Sequence, residues 1–210
     1  MNKDNSSEVT EQKAFAQLLK PREGAEARYW ELFIKNRIQQ IARREQLVGV
    51  IYWQPAWRMP IDLFSYFREA LRCFAIAQFL GAITLSSCAV ELILNRDQRV
   101  RSNTELRRIG GWTTLNNHNL IIASSLGLPV SSLCSANESL QKEPPLVFVE
   151  RRNKVAHGEV MPMLKTLSDY DPRAEEEALD QVIKSQNFVI EWFNTAPDVQ
   201  KGLIVNHRWP

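Results

Sequence analysis

A chain of 210 residues is long enough for one well-buried core with some length left for extensions. The formal net charge of +2 excludes a bulk electrostatic pull onto nucleic acid or an acidic membrane, so any anion site must be local. Three scattered cysteines, Cys73, Cys88 and Cys134, show neither CxxC spacing nor clustering with histidine. They indicate neither a disulfide framework nor a structural zinc site, and they fit a reducing cytoplasm.

The polar start, Met1 to Glu8, lacks the basic-then-apolar order of a secretory signal and reads as a frayed tail. From Ala25 to about Gln46, Tyr29, Trp30, Phe33, Ile34, Ile38 and Ile41 recur at three-and-four spacing, which predicts an amphipathic helix. Leu47 to Trp53 is β-branched and aromatic and is stopped by Pro55, so it reads as a strand. Its candidate partner is Gly202 to Asn206, which would make a small two-stranded ribbon joining the chain ends. Trp30, Trp53 and Trp57 are most simply core or interface anchors.

Pro60 begins a helical stretch with Asp62 in its first turn and one apolar stripe of Leu63, Phe67, Ala70, Leu71 and Phe74. A break near Gln78 to Gly81 starts a second helix running to about Asn95. Cys73 to Val90 carries no charge and reaches the lower length limit of a membrane span. Its Gln78, Thr84, Ser86 and Ser87, with Arg68, Arg72, Glu91 and Arg96 close on its flanks, favour a buried antiparallel hairpin, with no membrane partner. Glu91 either faces solvent, the simpler reading, or pairs with Arg152 or His157 across a groove. Arg96 to Arg101, then Arg107 and Arg108 before Gly110-Gly111, form a basic connection predicted to be irregular. It is either a solvated loop or an RNA contact.

Leu115 to Leu126 is predicted as a helix ended by Gly127 and Pro129, with Ser131 or Ser132 capping a short helix to Leu140. Pro144-Pro145 sets up the next helix, Leu146 to about Ala156, stopped by Gly158. Asp171-Pro172 opens the last helix, with Leu179, Val182, Ile183, Val189, Ile190 and Phe193 toward the core and Glu175 to Glu177 beside its positive end. The pattern is mainly α, with no internal repeat, glycine-rich phosphate loop, or Walker or Rossmann signature. No metal or organic cofactor is expected.

The chemistry concentrates in Arg151-Arg152-Asn153-Lys154-Val155-Ala156-His157, in the last turns of the penultimate helix. Asn153 and His157 are four apart and share a face, whereas Arg152 lies about 140° around from His157 at 100° per residue. RNA cleavage needs a base for the 2′-hydroxyl, an acid for the departing 5′-oxygen and a cation for the crowded phosphorane. His157 suits the proton transfers, Arg152 the charge, and Asn153 the phosphate or the imidazole tautomer. One histidine cannot easily serve as both acid and base, so a homodimer bringing two such helices together is the expected arrangement. The plain alternative is that Arg151 and Arg152 pair with the helix end or with a carboxylate such as Glu150, while His157 caps the last carbonyls. His118 and His207 have no arginine at motif spacing and read as surface residues.

The string Arg-Asn-Lys-Val-Ala-His-Gly within a helical bundle resembles the HEPN superfamily, small α-helical bundles carrying an Arg, four to six residues, His motif with a polar residue after the arginine. Arg152-Asn153 to His157 fits, and Arg151 fits the spacing one residue longer; Arg152, with the amide next to it, is preferred. The resemblance covers about Pro60 to Thr195. It divides the chain into an N-terminal extension (1–59), a HEPN-like antiparallel bundle (60–195) and a tail (196–210). It implies metal-independent endoribonuclease activity at a dimer interface, in toxin, abortive-infection or antiviral settings, with an inhibitory or defence-system protein as a possible further partner. The alternative it carries is a non-catalytic interaction or assembly subunit that binds a protein or nucleotide. Arg151, Lys154, Arg96, Arg99 and Arg101 are the candidate RNA contacts on this reading.

Overall fold

A computed structural model describes residues 24–48, 61–158 and 172–196. The N-terminal tail, the segment 49–60 with Trp53 and Trp57, and the C-terminal run with Gly202 to Asn206 and His207 lie outside the described residues. The chain divides into two compact units, residues 1–40 and 41–210. In the first, the described residues form the front of helix α1 (Gly24–Val48), where Tyr29, Phe33, Ile34 and Ile38 are exposed and the Tyr29 and Phe33 rings stack one turn apart at 6.5 Å.

In the second unit α1 continues through Leu47 and Val48. The expectation that a strand begins at Leu47 is therefore overturned, because Val48 is buried as part of a helical core cluster rather than laddered with another strand. Buried Arg44 fixes this end of the helix. Its Nε donates to Glu175 Oε2 at 3.1 Å, its Nη1 to the Ala75 carbonyl, and its cation lies over the Phe79 ring. Glu175 thus serves as a partner for Arg43 and Arg44, beyond favouring its own helix end.

Helix α2 (Ile61–Ala75) buries Leu63, Phe67, Ala70 and Phe74 as the periodicity predicts. It forms a helical hairpin with α3 (Phe79–Arg96). The break is at Ile76 to Gln78, earlier than expected, and Ala77 takes the left-handed turn with φ 65°. Gly81 lies inside α3, where a Cβ would stand 3.1 Å from Cys73 Sγ, so it marks a close approach of the two helices rather than a stop. Helix α3 is long and apolar enough to cross a membrane, yet half of that stretch is buried within the fold. Its Ser86 and Ser87 hydroxyls donate to the Ile83 carbonyl, which satisfies both donors inside the core.

Arg96 is ion-paired with Asp62, tying the end of α3 to the start of α2. Asp97 caps the short α4 (Gln98–Arg101), accepting from Arg99 N–H. The supposedly irregular connection then forms a two-residue hairpin, β1 (Arg108–Ile109) with β2 (Trp112–Thr113), antiparallel in the register Arg108 opposite Thr113 and Ile109 opposite Trp112. Gly110 and Gly111 both take positive φ, 58° and 81°, which a tight primed turn requires. A two-stranded ribbon therefore exists, but within the bundle segment.

Helix α5 (Asn117–Ser125) starts two residues later than predicted because Asn116 is its cap, accepting from Asn119 N–H at 2.9 Å. After Gly127 only a 3₁₀ turn forms, Val130–Leu133, with Pro129 at its start. The predicted helix to Leu140 is replaced by turns because Glu138 folds back onto Ser135 N–H and reaches Val147 N–H, both at 2.7 Å. Helix α6 (Val147–Ala156) has its first donors met from outside: Asn117 Oδ1 takes Leu146 N–H and Glu138 takes Val147 N–H. The closing helix α7 (Pro172–Thr195) buries Val182, Phe188, Val189 and Trp192. Buried Gln181 joins three helices, donating to Ser87 Oγ of α3 and to the Phe148 carbonyl of α6, each at 3.0 Å. This fixes the motif helix against α3 and α7.

Candidate functional site on the penultimate helix

Phe148 and Val149 anchor α6 in the core, and Val155 packs against the cluster of Ala82, Ile83 and Val182. With that face committed, consecutive arginines must diverge. Arg151 turns to α7, where it is ion-paired with Asp180 and lies 3.8 Å from Glu177. Arg152 turns to α3, where its Nη2 donates to Glu91 Oε1 at 2.7 Å and its Nη1 to Asn153 Oδ1 at 3.1 Å. Lys154 is exposed and pairs with Glu150 one turn back.

The structure overturns the simpler reading of Glu91. Its side chain is 13% exposed, and the same Oε1 that meets Arg152 also accepts Leu115 N–H at 3.1 Å. A carboxylate on an apolar helix is tolerated here because a guanidinium and a backbone amide both satisfy it. Arg152 keeps donors beyond those two bonds and is 29% exposed, so a phosphate can still reach it. Cys88 stands one turn before Glu91. Burial pushes its thiol up, Glu91 reinforces the shift and Arg152 opposes it, so it is a neutral thiol and no ready nucleophile.

His157 closes the helix as its C-cap, with its backbone N–H donating to the Asn153 carbonyl at 2.9 Å. The residue is exposed, and Gly158 follows with φ 71°. Asn153 is therefore joined to both other motif residues, by its side chain to Arg152 and by its carbonyl to His157. Beside Arg151 lies a cavity of about 120 Å³ between α3, α6 and α7, lined by Ile83, Val147 and Val155 with Glu150, Lys154 and Glu177. Its size and mixed charge suit no nucleotide.

Asp180 belongs to a longer network. Burial pushes its carboxyl up, but Lys184 and Arg151 outweigh that and hold it below the ordinary aspartate value. Lys184, nearly buried, donates to Asp180 and to Ser135 Oγ at 2.9 and 2.7 Å. Arg151 thus belongs to a structural network whose innermost cation is Lys184.

The basic connection separates into two groups. Arg96 is held by Asp62, and Arg99 by Asp97 through Nε and Nη2 at 3.0 and 2.7 Å. Arg101, Arg107 and Arg108 are exposed. His118 sits in the first turn of α5 with its Nε2 3.1 Å from the Glu105 carbonyl. Sequence reasoning missed Asn95 and Asn119, the amides that hold the hairpin. The run Asn116-Asn117-His118-Asn119 before a helix was the available signal for the second. Among the described residues no group of three or more His, Cys, Asp or Glu is placed to hold a metal ion. No family model, curated protein or solved structure matches this chain.

Proposed function

We propose that this chain is a metal-independent endoribonuclease of the HEPN type, working as a homodimer with Arg152, Asn153 and His157 at its site. The observation that carries the reading is the arrangement on α6: a partly exposed guanidinium held in place by Glu91 and Asn153, with an exposed histidine closing the same helix. In the reaction the 2′-oxygen forms a bond to phosphorus as its proton passes to an imidazole. The bond from phosphorus to the 5′-oxygen breaks as a second imidazole, from the other protomer, supplies a proton there. The Arg152 guanidinium meets the charge that builds on the phosphorane oxygens. The products are a 2′,3′-cyclic phosphate and a 5′-hydroxyl. The toxin, abortive-infection or antiviral setting belongs to the same proposal and follows from the resemblance of the motif.

The test is cleavage of varied single-stranded and structured RNAs in excess EDTA, with end-group analysis. Wild type is expected to yield cyclic phosphate ends. His157→Ala and Arg152→Ala are each expected to lose on the order of a hundredfold or more in rate. Because the reaction uses an imidazole from each protomer, mixing and exchanging equal amounts of wild type and His157→Ala is expected to leave about a quarter of the activity of an all-wild-type sample, since only a quarter of the dimers keep both imidazoles. Intact RNA with wild type, or unimpaired cleavage by His157→Ala, removes the proposal.

One observation favours a second reading, an assembly module without catalysis. Both arginines already have carboxylate partners inside one chain, so their presence needs no substrate. On that reading Arg152→Ala alters sedimentation while RNA stays intact in every chain.

A further inference from the structure

The hairpin of β1 and β2 presents its apolar pair outward. Ile109 and Trp112 face each other across the two strands and are 74% and 45% exposed, whereas Thr113, on the opposite face, is buried against the bundle. An isolated two-stranded ribbon is marginal in water, so this one must be held from outside. Two side-chain amides hold it. Asn95 of α3 accepts from Thr113 N–H at 2.6 Å and donates to the Thr113 carbonyl at 2.8 Å. Fully buried Asn119 accepts from Arg107 N–H and donates to the carbonyls of Arg107 and Thr114 at 2.7 to 2.8 Å. Each amide replaces a missing neighbouring strand, and the exposed face is thereby held toward solvent.

The surroundings are cationic. Arg108 Nη2 donates to the carbonyls of Arg101 and Asn103 at 2.8 and 3.0 Å, which binds the hairpin to the end of α4 and brings Arg101 alongside it. These acceptors are neutral, so the charge on Arg108 is not cancelled. Among the described residues no ion pair joins Arg101, Arg107 or Arg108 to a carboxylate, and Glu105 is the one acid of the same loop. The mount also leads to the motif. Leu115 follows β2 by two residues, and the Glu91 oxygen that takes its N–H is the one that holds Arg152. By strand rise, Trp112 lies about 10 Å along the chain from that junction.

We propose that this hairpin is a wing for single-stranded RNA, with Trp112 stacking on a base and Arg101 and Arg107 taking backbone phosphates. An aromatic face flanked by uncancelled cations is the combination that binds an unpaired strand without base-specific hydrogen bonds. A protein partner fits less well. Two-residue strands offer almost no edge to extend, and two apolar side chains fall short of an interface core. The inference deepens the ribonuclease reading and rests on it for the choice of RNA.

The test is fluorescence anisotropy of a short unstructured labelled RNA of mixed sequence, in EDTA, with His157→Ala suppressing cleavage. Trp112→Ala in that background is expected to weaken binding about tenfold, and Trp112→Phe, which keeps a stacking face, to stay within about twofold. Arg107→Ala is expected to weaken binding and make the slope of log affinity against log salt shallower by about 0.7. Thermal melting checks that each variant stays folded. Unchanged affinity in Trp112→Ala, or no binding of RNA by the parent chain, overturns the wing. So does an altered sedimentation of Trp112→Ala with RNA affinity intact, which makes the hairpin a protein contact. Tryptophan-dependent binding without cleavage by wild type overturns the ribonuclease reading alone. His157-dependent cleavage with normal binding by Trp112→Ala overturns the wing alone.

Discussion

Glu91 shows how much one carboxylate can organise. It takes a guanidinium from α6 and the Leu115 backbone amide from the segment that follows the hairpin, so the motif and the hairpin's exit share one oxygen. As the lone acid in an apolar helix it stands out in the sequence, but its partner is 61 residues away and no spacing rule connects them. Cys88 reports on the pair. Glu91→Gln removes a negative charge and leaves the Arg152 cation, so the Cys88 thiol shifts down toward its ordinary value and alkylates faster at mildly alkaline pH. Arg152→Ala shifts it further up and slows alkylation. Site-resolved mass spectrometry after iodoacetamide reads both, and equal rates in all three chains would refute the arrangement. On the proposed ribonuclease reading Glu91 acts through Arg152, so Glu91→Gln is then also expected to lower kcat roughly tenfold with little change in KM.

At the scale of elements, the hairpin of α2 and α3 separates two uses of small residues that look alike in sequence. Gly81 suggests a turn, yet the turn is made by Ala77 at φ 65°, while Gly81 lets Cys73 approach within the helix pair. An L-residue with a Cβ is strained in that left-handed conformation, so Ala77→Gly is expected to stabilise the chain by up to about 1 kcal/mol, partly offset by the entropy of glycine in the unfolded state. A melting temperature higher by about 2–4 °C is the readout, and a fall in melting temperature contradicts the strain. The basic connection teaches the converse. Its arginines read as a loop, whereas Gly110-Gly111 between Arg-Ile and Trp-Thr was the hairpin signal.

At the scale of the whole molecule, Asp97 joins distant parts of the second unit. It is fully buried, caps α4, is held by Arg99, and accepts Trp192 Nε1–H from α7 at 2.9 Å. Burial pushes its carboxyl up, but the bonds from Arg99 and Trp192 and the Arg99 charge outweigh this and hold it below the ordinary aspartate value. A carboxyl depressed in the folded state stabilises above its unfolded value and loses that contribution as pH falls through the folded one. Asp97→Asn is therefore expected to cost about 3 kcal/mol at neutral pH, with the gap to wild type narrowing below about pH 4. Urea unfolding of both chains across that range checks it; a gap independent of pH contradicts the charged role.

The mainly helical character, the apolar face of α2, part of that of α7 and the motif near the end of α6 were legible from periodicity, caps and turn residues, because these are local consequences of helix geometry. On α7, Val182, Val189 and Phe193 are buried as expected, whereas Leu179, Ile183 and Ile190 are only half-buried and Phe188 and Trp192 take the core. Which charges meet was mostly not legible, Arg152 being only one of the alternatives open for Glu91. A net charge of +2 is compatible with any pairing, and the pairs that order this fold, Arg44 with Glu175, Arg96 with Asp62, Arg151 with Asp180 and Arg152 with Glu91, span 29 to 131 residues. Only tertiary packing could split the two motif arginines, giving Arg151 to a structural network on α7 and turning Arg152, partly exposed, to Glu91 on α3, because burial of one helix face dictates where every other side chain points.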